Sequence, residues 1–344
     1  MQKMEKLIIN IFTESELVQL LKEAGFPGFR GKQIFQWLHR HLVSDFAAMT
    51  NLPGQLIDYL QENFTITQLV VLQQQVSKDG TVKYLFQLPD GQTIETVLIP
   101  EGERNTVCVS SQVGCAMGCT FCATGEQGFA RNLNAAEIAG QIEFIAKQHQ
   151  DVTNIVYMGM GEPLLNYSEV IKSIELLNHP SGLNIGMRRF TISTCGIVPQ
   201  IRQLALEQSQ VGLAVSLHAA SDQKRQQIMP ITKKYPLATL LDACRFYVEQ
   251  TNRRITFEYT LIKGFNDSLA DLDQLVQLLA GLTCHVNIIP VNPVNAEYQK
   301  PDLEGVKKFT DALNQQGISA SIRKERGSDI QAACGQLRRA SEER

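Results

Sequence analysis

Cys115, Cys119 and Cys122 read Cys-x-x-x-Cys-x-x-Cys inside the segment Val113-Gly-Cys-Ala-Met-Gly-Cys-Thr-Phe-Cys-Ala-Thr-Gly125. Three thiolates on so short a loop can hold three corners of a [4Fe-4S] cube, which leaves the fourth iron without a protein ligand. An open iron can bind and reduce a small molecule. S-adenosylmethionine chelates such an iron through its amino and carboxylate groups. One electron then cleaves its sulfonium to a 5′-deoxyadenosyl radical, and the protein's task is to aim that radical. Structural zinc asks for four ligands, usually as two separated pairs. Disulfides would pair two of the three and orphan one. Both alternatives fit the trio less well than an open cluster.

Other short motifs carry a weaker signal each. Gly159-Met-Gly-Glu-Pro163 is either an ordinary strand-ending turn or, behind an iron–sulfur loop, the segment that contacts the methionine part of the nucleotide. In the second case Glu162 accepts a hydrogen bond from its amino group. Ser193, Ser216 and Asn292 are small polar groups that could equally cap helices. His218, after Ser216 and Leu217, could be a histidine satisfied by backbone. Cys195, Cys244 and Cys284 read as packed small hydrophobes, Cys244 within a helix interior. Cys108 precedes the trio on a strand and could be core. Cys334, beside Gly335, is a candidate reactive thiol or an ordinary loop cysteine.

These residues need elements to position them. Residues 1–80 read as helical, with Glu14 to Ala24, Gly31 to Leu42 and about Leu52 to Asn63 as three short helices of an accessory domain. Gly25-Phe-Pro-Gly28 breaks the first from the second. Thr81–Gln87 and Thr93–Ile99 flank Pro89-Asp-Gly91 and predict a β-hairpin linker over 81–105. From 106 to 337 strand and helix alternate. Predicted strands are Thr106–Ser110, Asn154–Met158, Arg189–Ser193, Gly212–Leu217, Ile255–Leu261 and Val286–Pro290. Helices are expected near 135–149, 168–178, 199–208, 237–250 and 268–281, with Asn134 as N-cap of the first. A helix at 302–316 and a strand at Ile318–Arg323 follow, and 338–344 is a tail. Repeated βα units favour a parallel sheet with right-handed crossovers. Six are too few for the closed eight-fold barrel, so the fold class is α/β, a partial (β/α)6 barrel with a helical N-terminal domain and a hairpin extension. The motifs fall at carboxyl ends of the predicted strands, where such folds gather their chemistry.

Composition sets bounds. The chain has 344 residues, 44% hydrophobic and 19% charged, which suits a globular core plus a small domain. The first ten residues hold no signal-like apolar run, and no stretch of about 18 apolar residues predicts a membrane span. Eight cysteines without an export signal predict a reducing cytoplasm and metal or catalytic thiols. A net charge of −3 does not advertise a polyanion partner, so nucleic acid would have to be held by local basic patches.

Taken together, Ser110-Ser-Gln-Val-Gly-Cys115, Met158-Gly-Met-Gly-Glu-Pro-Leu-Leu-Asn166, Ile192-Ser-Thr-Cys-Gly196, Ser216-Leu-His218, Met229-Pro-Ile231, Asn287-Ile-Ile-Pro290 and Asp329-Ile-Gln-Ala-Ala-Cys-Gly-Gln-Leu337 resemble the RlmN/Cfr family of radical S-adenosylmethionine RNA methyltransferases. The likeness runs nearly end to end and includes Phe29-Arg-Gly-Lys-Gln-Ile-Phe-Gln-Trp37. It implies methylation of an adenine ring carbon in RNA. RlmN members act on C2 of an adenosine in the peptidyl-transferase region of 23S rRNA and on the adenosine 3′ of certain tRNA anticodons. Cfr members act on C8 of the same rRNA base. Pro163 and the run of motifs look like the C2 branch.

C2 of adenine is electron-poor and cannot attack a sulfonium methyl, whereas a thiolate can. By resemblance, Cys334 stores the methyl group, and the adenosyl radical takes a hydrogen from it. The resulting carbon radical adds to C2, and Cys108 releases the base through a transient disulfide. Glu95 matches the family's proton-accepting carboxylate. Gly161, Glu162, Ser193, Ser216, Leu217, His218 and Asn292 map to nucleotide contacts, and Cys115, Cys119 and Cys122 to the cluster. Two S-adenosylmethionine molecules serve each turnover, and an electron donor such as flavodoxin is implied. Cys195 departs from the serine that many members carry. Phosphate contacts would fall to Lys32, Arg188, Arg189, Lys233, Lys234 and the run Arg323 to Arg326. Rival readings are a non-catalytic iron–sulfur protein that binds RNA, and a radical enzyme with a small substrate.

Overall fold

Between residues 70 and 322 the chain folds into a single ten-stranded sheet. The computed structural model describes residues 6–149, 152–292 and 298–337. Pro293 and the predicted tail lie outside them. The strands are β1 (Val70–Val76), β2 (Val82–Gln87), β3 (Thr93–Glu101), β4 (Arg104–Cys108), β5 (Asn154–Tyr157), β6 (Phe190–Thr194), β7 (Gly212–Ser216), β8 (Ile255–Leu261), β9 (Cys284–Pro290) and β10 (Ala320–Ile322). Spatial order follows chain order. β4 to β10 run parallel, and β1 to β4 pair antiparallel.

The helices are α1 (Glu14–Glu23), α2 (Phe29–His39), α3 (Gly54–Asn63), α4 (Ala123–Glu126), α5 (Ala135–His149), α6 (Tyr167–Asn178), α7 (Val198–Leu206), α8 (Asp222–Ile228), α9 (Leu237–Thr251), α10 (Leu269–Leu279) and α11 (Leu303–Gln315). Asn134 caps α5 as expected. Its Oδ1 accepts the Glu137 N–H at 2.9 Å, while Glu137 accepts the Asn134 N–H at 3.0 Å. No helix of the described residues is long and apolar enough to cross a membrane.

Alternation along β8 shows how the sheet divides its faces. Ile255, Phe257, Tyr259 and Leu261 are fully buried in the core. Thr256 and Glu258, one step out of phase, line a cavity instead. The cavity face of the sheet is thereby supplied with polar side chains.

Two sequence expectations shift. Residues 70–76, read as the end of the helical segment, form β1. Val70-Val-Leu-Gln-Gln-Gln-Val76 has no clean alternation, and pairing with β2 decides its state. The hairpin β2–β3 is then an interior part of the main sheet. Its turn is as predicted, with Gly91 at φ 84° and Leu88 N–H bonded to Gln92 O at 2.8 Å.

The accessory helices pack closely. A Cβ on Gly31 of α2 would come within 2.6 Å of the Val18 nitrogen in α1. This bundle docks on the sheet's helices through a buried His39 Nδ1–Glu143 contact of 2.6 Å and through Lys172–Glu16 at 2.9 Å.

Among the described residues β10 and β4 do not pair, and the chain after β10 spans the gap. Arg326 bonds Glu101 at 2.9 Å, and Asp329 accepts the Ser77 hydroxyl at 2.6 Å. Asp79 accepts N–H groups from Thr81 at 2.9 Å and Gly327 at 3.1 Å. Burial alone would raise the Asp79 carboxyl, but these donors outweigh it and hold it at about 2, below the ordinary 3.8. A depressed carboxyl stabilises the fold above its ordinary value, and that contribution disappears as pH falls toward the lowered one. Asp79→Asn is therefore expected to raise amide hydrogen exchange over residues 326–337 at neutral pH. The unsubstituted protein should show the same local loosening only in acid, between 3.8 and about 2. Exchange that stays at the parental rate in the variant would refute the clasp.

Candidate active site

The cysteine loop begins at a glycine that cannot be replaced. Gly114 has φ 76°, and a Cβ there would sit 1.9 Å from Gly128 O. The contact belongs to a two-stranded pair, Gln112–Gly114 with Phe129–Asn132, that forms the base of the loop. Cys115 N–H then bonds Gly128 O at 2.9 Å, and Thr120 N–H reaches Ile228 O, the end of α8, at 3.1 Å. Gly114→Ala should misplace the loop. Left-handed backbone alone costs a non-glycine residue about 1–2 kcal/mol, before the overlap is relieved. Iron content well below the parent's and a lower melting temperature are expected. Full loading would contradict this reading of the turn.

The cysteine side chains share one electrostatic neighbourhood. Burial pushes the Cys115 thiol up to about 12, with Glu162 and Cys122 adding to the rise. Cys119 is raised by burial, then by Cys122 and Cys115. As free thiols they stay protonated, and loading must displace those protons. Among the described residues no three His, Cys, Asp or Glu side chains converge on a point that suits one ion. A cube spreads its irons and asks only that the sulfurs surround it. The donor set fits a three-thiolate cluster.

Behind the loop lie the strand-end motifs. A Cβ on Gly161, at φ 103°, would meet Gln112 Cβ at 2.6 Å, so glycine lets this turn lie against the loop's base. Glu162 is buried, and burial raises its carboxyl. It accepts the N–H groups of Cys195 at 2.7 Å and Leu164 at 3.0 Å. His218 has φ 58° and accepts the Thr260 N–H at Nδ1, 2.9 Å away. Its remaining proton thus sits on Nε2. Burial, with Arg225 nearby, lowers its pKa to about 3, so it stays neutral. Its ring meets Phe121 of the cysteine loop edge-on at 4.7 Å. Leu217 is fully buried, and Ser193 and Ser216 are half-buried at neighbouring strand ends.

A cavity of about 560 Å³ opens beside this face, lined among others by Cys108, Cys122, Glu258, Asn292, Arg323 and Cys334. Cys108 comes from β4 and Cys334 from the chain's far end. Asn292 Nδ2 donates to Cys334 O at 3.3 Å, and Ala123 N–H donates to Gly335 O at 2.7 Å. Burial pushes Cys108 up to about 12, with Cys334 adding and Arg323 opposing. Cys334 is raised by burial while Arg323 lowers it. Arg323 is held by Glu258 at 3.4 Å and by Met158 Sδ at 3.7 Å.

Other predicted residues fall elsewhere. Glu95 is buried, pairs with Lys83 at 2.9 Å and is not part of the cavity wall. Cys195, Cys244 and Cys284 are buried. Of the basic candidates, Arg323, Lys324 and Arg326 line the cavity, whereas Arg188 lines a second hollow at the opposite strand ends. Lys32, Arg189, Lys233 and Lys234 are exposed. Sequence reading missed Glu258, Lys83 and Arg225. Arg225 lies in Asp-Gln-Lys-Arg-Gln-Gln-Ile, which looks like a solvated helix, yet it is fully buried. No pattern in the sequence marked these three.

Residues 9–66 match the family described as the ribosomal RNA large subunit methyltransferase N-terminal domain, and residues 109–279 match the radical SAM superfamily. A protein of Geobacillus kaustophilus named "Probable dual-specificity RNA methyltransferase RlmN" is 49% identical, over 95% of this chain and 91% of the relative. One of the same name from Desulfitobacterium hafniense (strain DSM 10664 / DCB-2) is 48% identical over 99% of each. The crystal structure of a radical SAM methyltransferase from Sphaerobacter thermophilus superposes with a TM-score of 0.93 at 47% identity, covering 96% of this chain and 99% of that one. With two relatives this similar over almost their whole length, the chain belongs to the RlmN family of dual-specificity radical SAM RNA methyltransferases, whose cofactors are a [4Fe-4S] cluster and S-adenosylmethionine.

Proposed function

We propose that this protein makes 2-methyladenosine in the peptidyl-transferase region of 23S rRNA and in tRNA, 3′ of the anticodon. One observation carries the reading. Cys108 and Cys334, distant in sequence, face one cavity together with Cys122 of the cluster loop. A small-substrate radical enzyme gives no reason for that pair, and neither does a passive iron–sulfur protein.

The cluster and S-adenosylmethionine, when bound, supply a methyl donor and a 5′-deoxyadenosyl radical. Cys115, Cys119 and Cys122 would hold the cluster. Glu162, Gly161, Ser193, Ser216, Leu217, His218 and Asn292 would hold the nucleotide. Cys334 takes the methyl group as a thiolate, a state that the Arg323 guanidinium favours. After its methyl group gives one hydrogen atom to the 5′-deoxyadenosyl radical, the methylene carbon bonds C2 and joins protein to RNA as a radical adduct, which becomes aromatic again by losing the C2 proton and returning one electron to the redox centre that began the turnover. Cys108 attacks the Cys334 sulfur as a thiolate and forms the disulfide; the carbon–sulfur bond breaks with its electron pair on carbon, which takes a proton and so becomes the methyl group of the freed base. Glu95 accepts the C2 proton, which requires its Lys83 pair to open. The electron donor is of the flavodoxin type and the compartment is the cytoplasm.

Mass spectrometry of adenosines from rRNA and tRNA, from cells with and without the gene, tests the reading. The expected result is loss of 2-methyladenosine from both RNAs. Loss of an 8-methyl base instead would transfer the protein to the C8 branch.

A further inference from the structure

Arg225 is the largest side chain that the fold buries completely. Its Nε donates to Leu217 O at 3.1 Å, and one Nη to the Thr232 hydroxyl at 2.9 Å. The other Nη donates to Cys195 O at 2.7 Å and Ser216 O at 3.0 Å. All four acceptors are neutral. Among the described residues no ion pair includes Arg225. The neighbouring carboxylate, Asp222, makes no direct ion pair with it: its Oδ1 accepts the Leu237 N–H at 2.7 Å, and its charge acts on the guanidinium only from a distance. Hydrogen bonding is satisfied while no counter-charge is in direct contact, and a buried charge without a close partner is costly.

What lies beside it is the cluster loop. The thiols of Cys195 and then Cys119, the latter on the cluster loop, are within electrostatic reach of the guanidinium. The helix that carries Arg225 ends at Ile228, whose carbonyl accepts the Thr120 N–H at 3.1 Å. A cube on three thiolates carries one net negative charge when oxidised and two after it accepts an electron. A fixed cation nearby favours the more negative form.

We propose that Arg225 is a positioning residue whose buried charge is countered by the cluster and makes the cluster easier to reduce. The inference rests on the open-cluster reading of Cys115, Cys119 and Cys122. The electron comes from a low-potential one-electron donor, dithionite in the test. The cation itself is neither oxidised nor reduced.

The test is an anaerobic redox titration of the reconstituted full chain without nucleotide. It is followed by the paramagnetic signal of the reduced cluster, with iron and sulfide content as control. Arg225→Met is expected to load iron yet show about a tenfold lower ratio of reduced to oxidised cluster at fixed poise, about 59 mV for a one-electron couple. Arg225→Lys, which keeps the charge and loses the fork, should stay within about threefold of the parent. A loaded Arg225→Met with the parental ratio overturns the proposal. If that variant does not fold, Arg225→Lys decides: the parental ratio supports the charge role, and a tenfold loss assigns the effect to hydrogen-bond geometry. Failure of both to fold makes Arg225 a scaffold residue and also overturns it. A parent without the absorption of a cubane would sink the cluster reading itself, which is a separate result.

Discussion

Cys334→Ala is expected to abolish methyl transfer to RNA while the cluster and its visible spectrum remain intact. The thiol is the only atom lost. The segment is held by its backbone, through Asn292 Nδ2 to Cys334 O at 3.3 Å and Ala123 N–H to Gly335 O at 2.7 Å, and alanine keeps both. The cluster trio lies on a different element. Loss of the nucleophile in a covalent route should cost at least about three orders of magnitude. Labelled methyl incorporation, measured beside iron content, gives the answer. Substantial methylation by the variant would remove Cys334 from the mechanism.

Cys108→Ala should stop the reaction one step later. The carbon–carbon bond forms, the releasing thiol is missing, and protein stays joined to RNA. Cys108 lies on β4 in the core and is 8% exposed, so alanine removes one buried sulfur at a cost of about 1 kcal/mol and the fold survives. A denaturing gel of the variant expressed in cells should show RNA that migrates with protein and is freed by nuclease. RNA that runs free of protein would show that release does not need this thiol. The release step carries a pH signature in the parent. Burial first, then Cys334, raises the Cys108 thiol, so the attacking thiolate is scarce at neutral pH and grows as pH rises. Methylation of Cys334 removes its contribution and leaves the opposing Arg323 charge, which favours the thiolate at the step that needs it.

Much of this was legible in the residues. The cysteine spacing is local, so the loop could be read without the fold. The βα alternation, the capped start of α5 and the turn at Gly91 are local as well, because backbone geometry and short-range hydrogen bonds decide them. β1 was not legible. Its three glutamines carry no alternation, and its state comes from pairing with β2. Nor could sequence place Glu95 against Lys83 rather than on the cavity wall, because that ion pair forms across two strands.

Residue type and local spacing alone pointed to the open-cluster chemistry and the parallel α/β class, while the roles of Cys108 and Cys334 came from the family resemblance. Tertiary structure alone decided that β4 and the chain's far end meet at one cavity, that the segment after β10 spans the open side, and that Arg225 is buried without an ion pair among the described residues. The physical reason is range. Thiol chemistry and strand periodicity are properties of neighbours in the chain. Burial, charge compensation and the meeting of two distant sulfurs depend on which surfaces the whole fold removes from water.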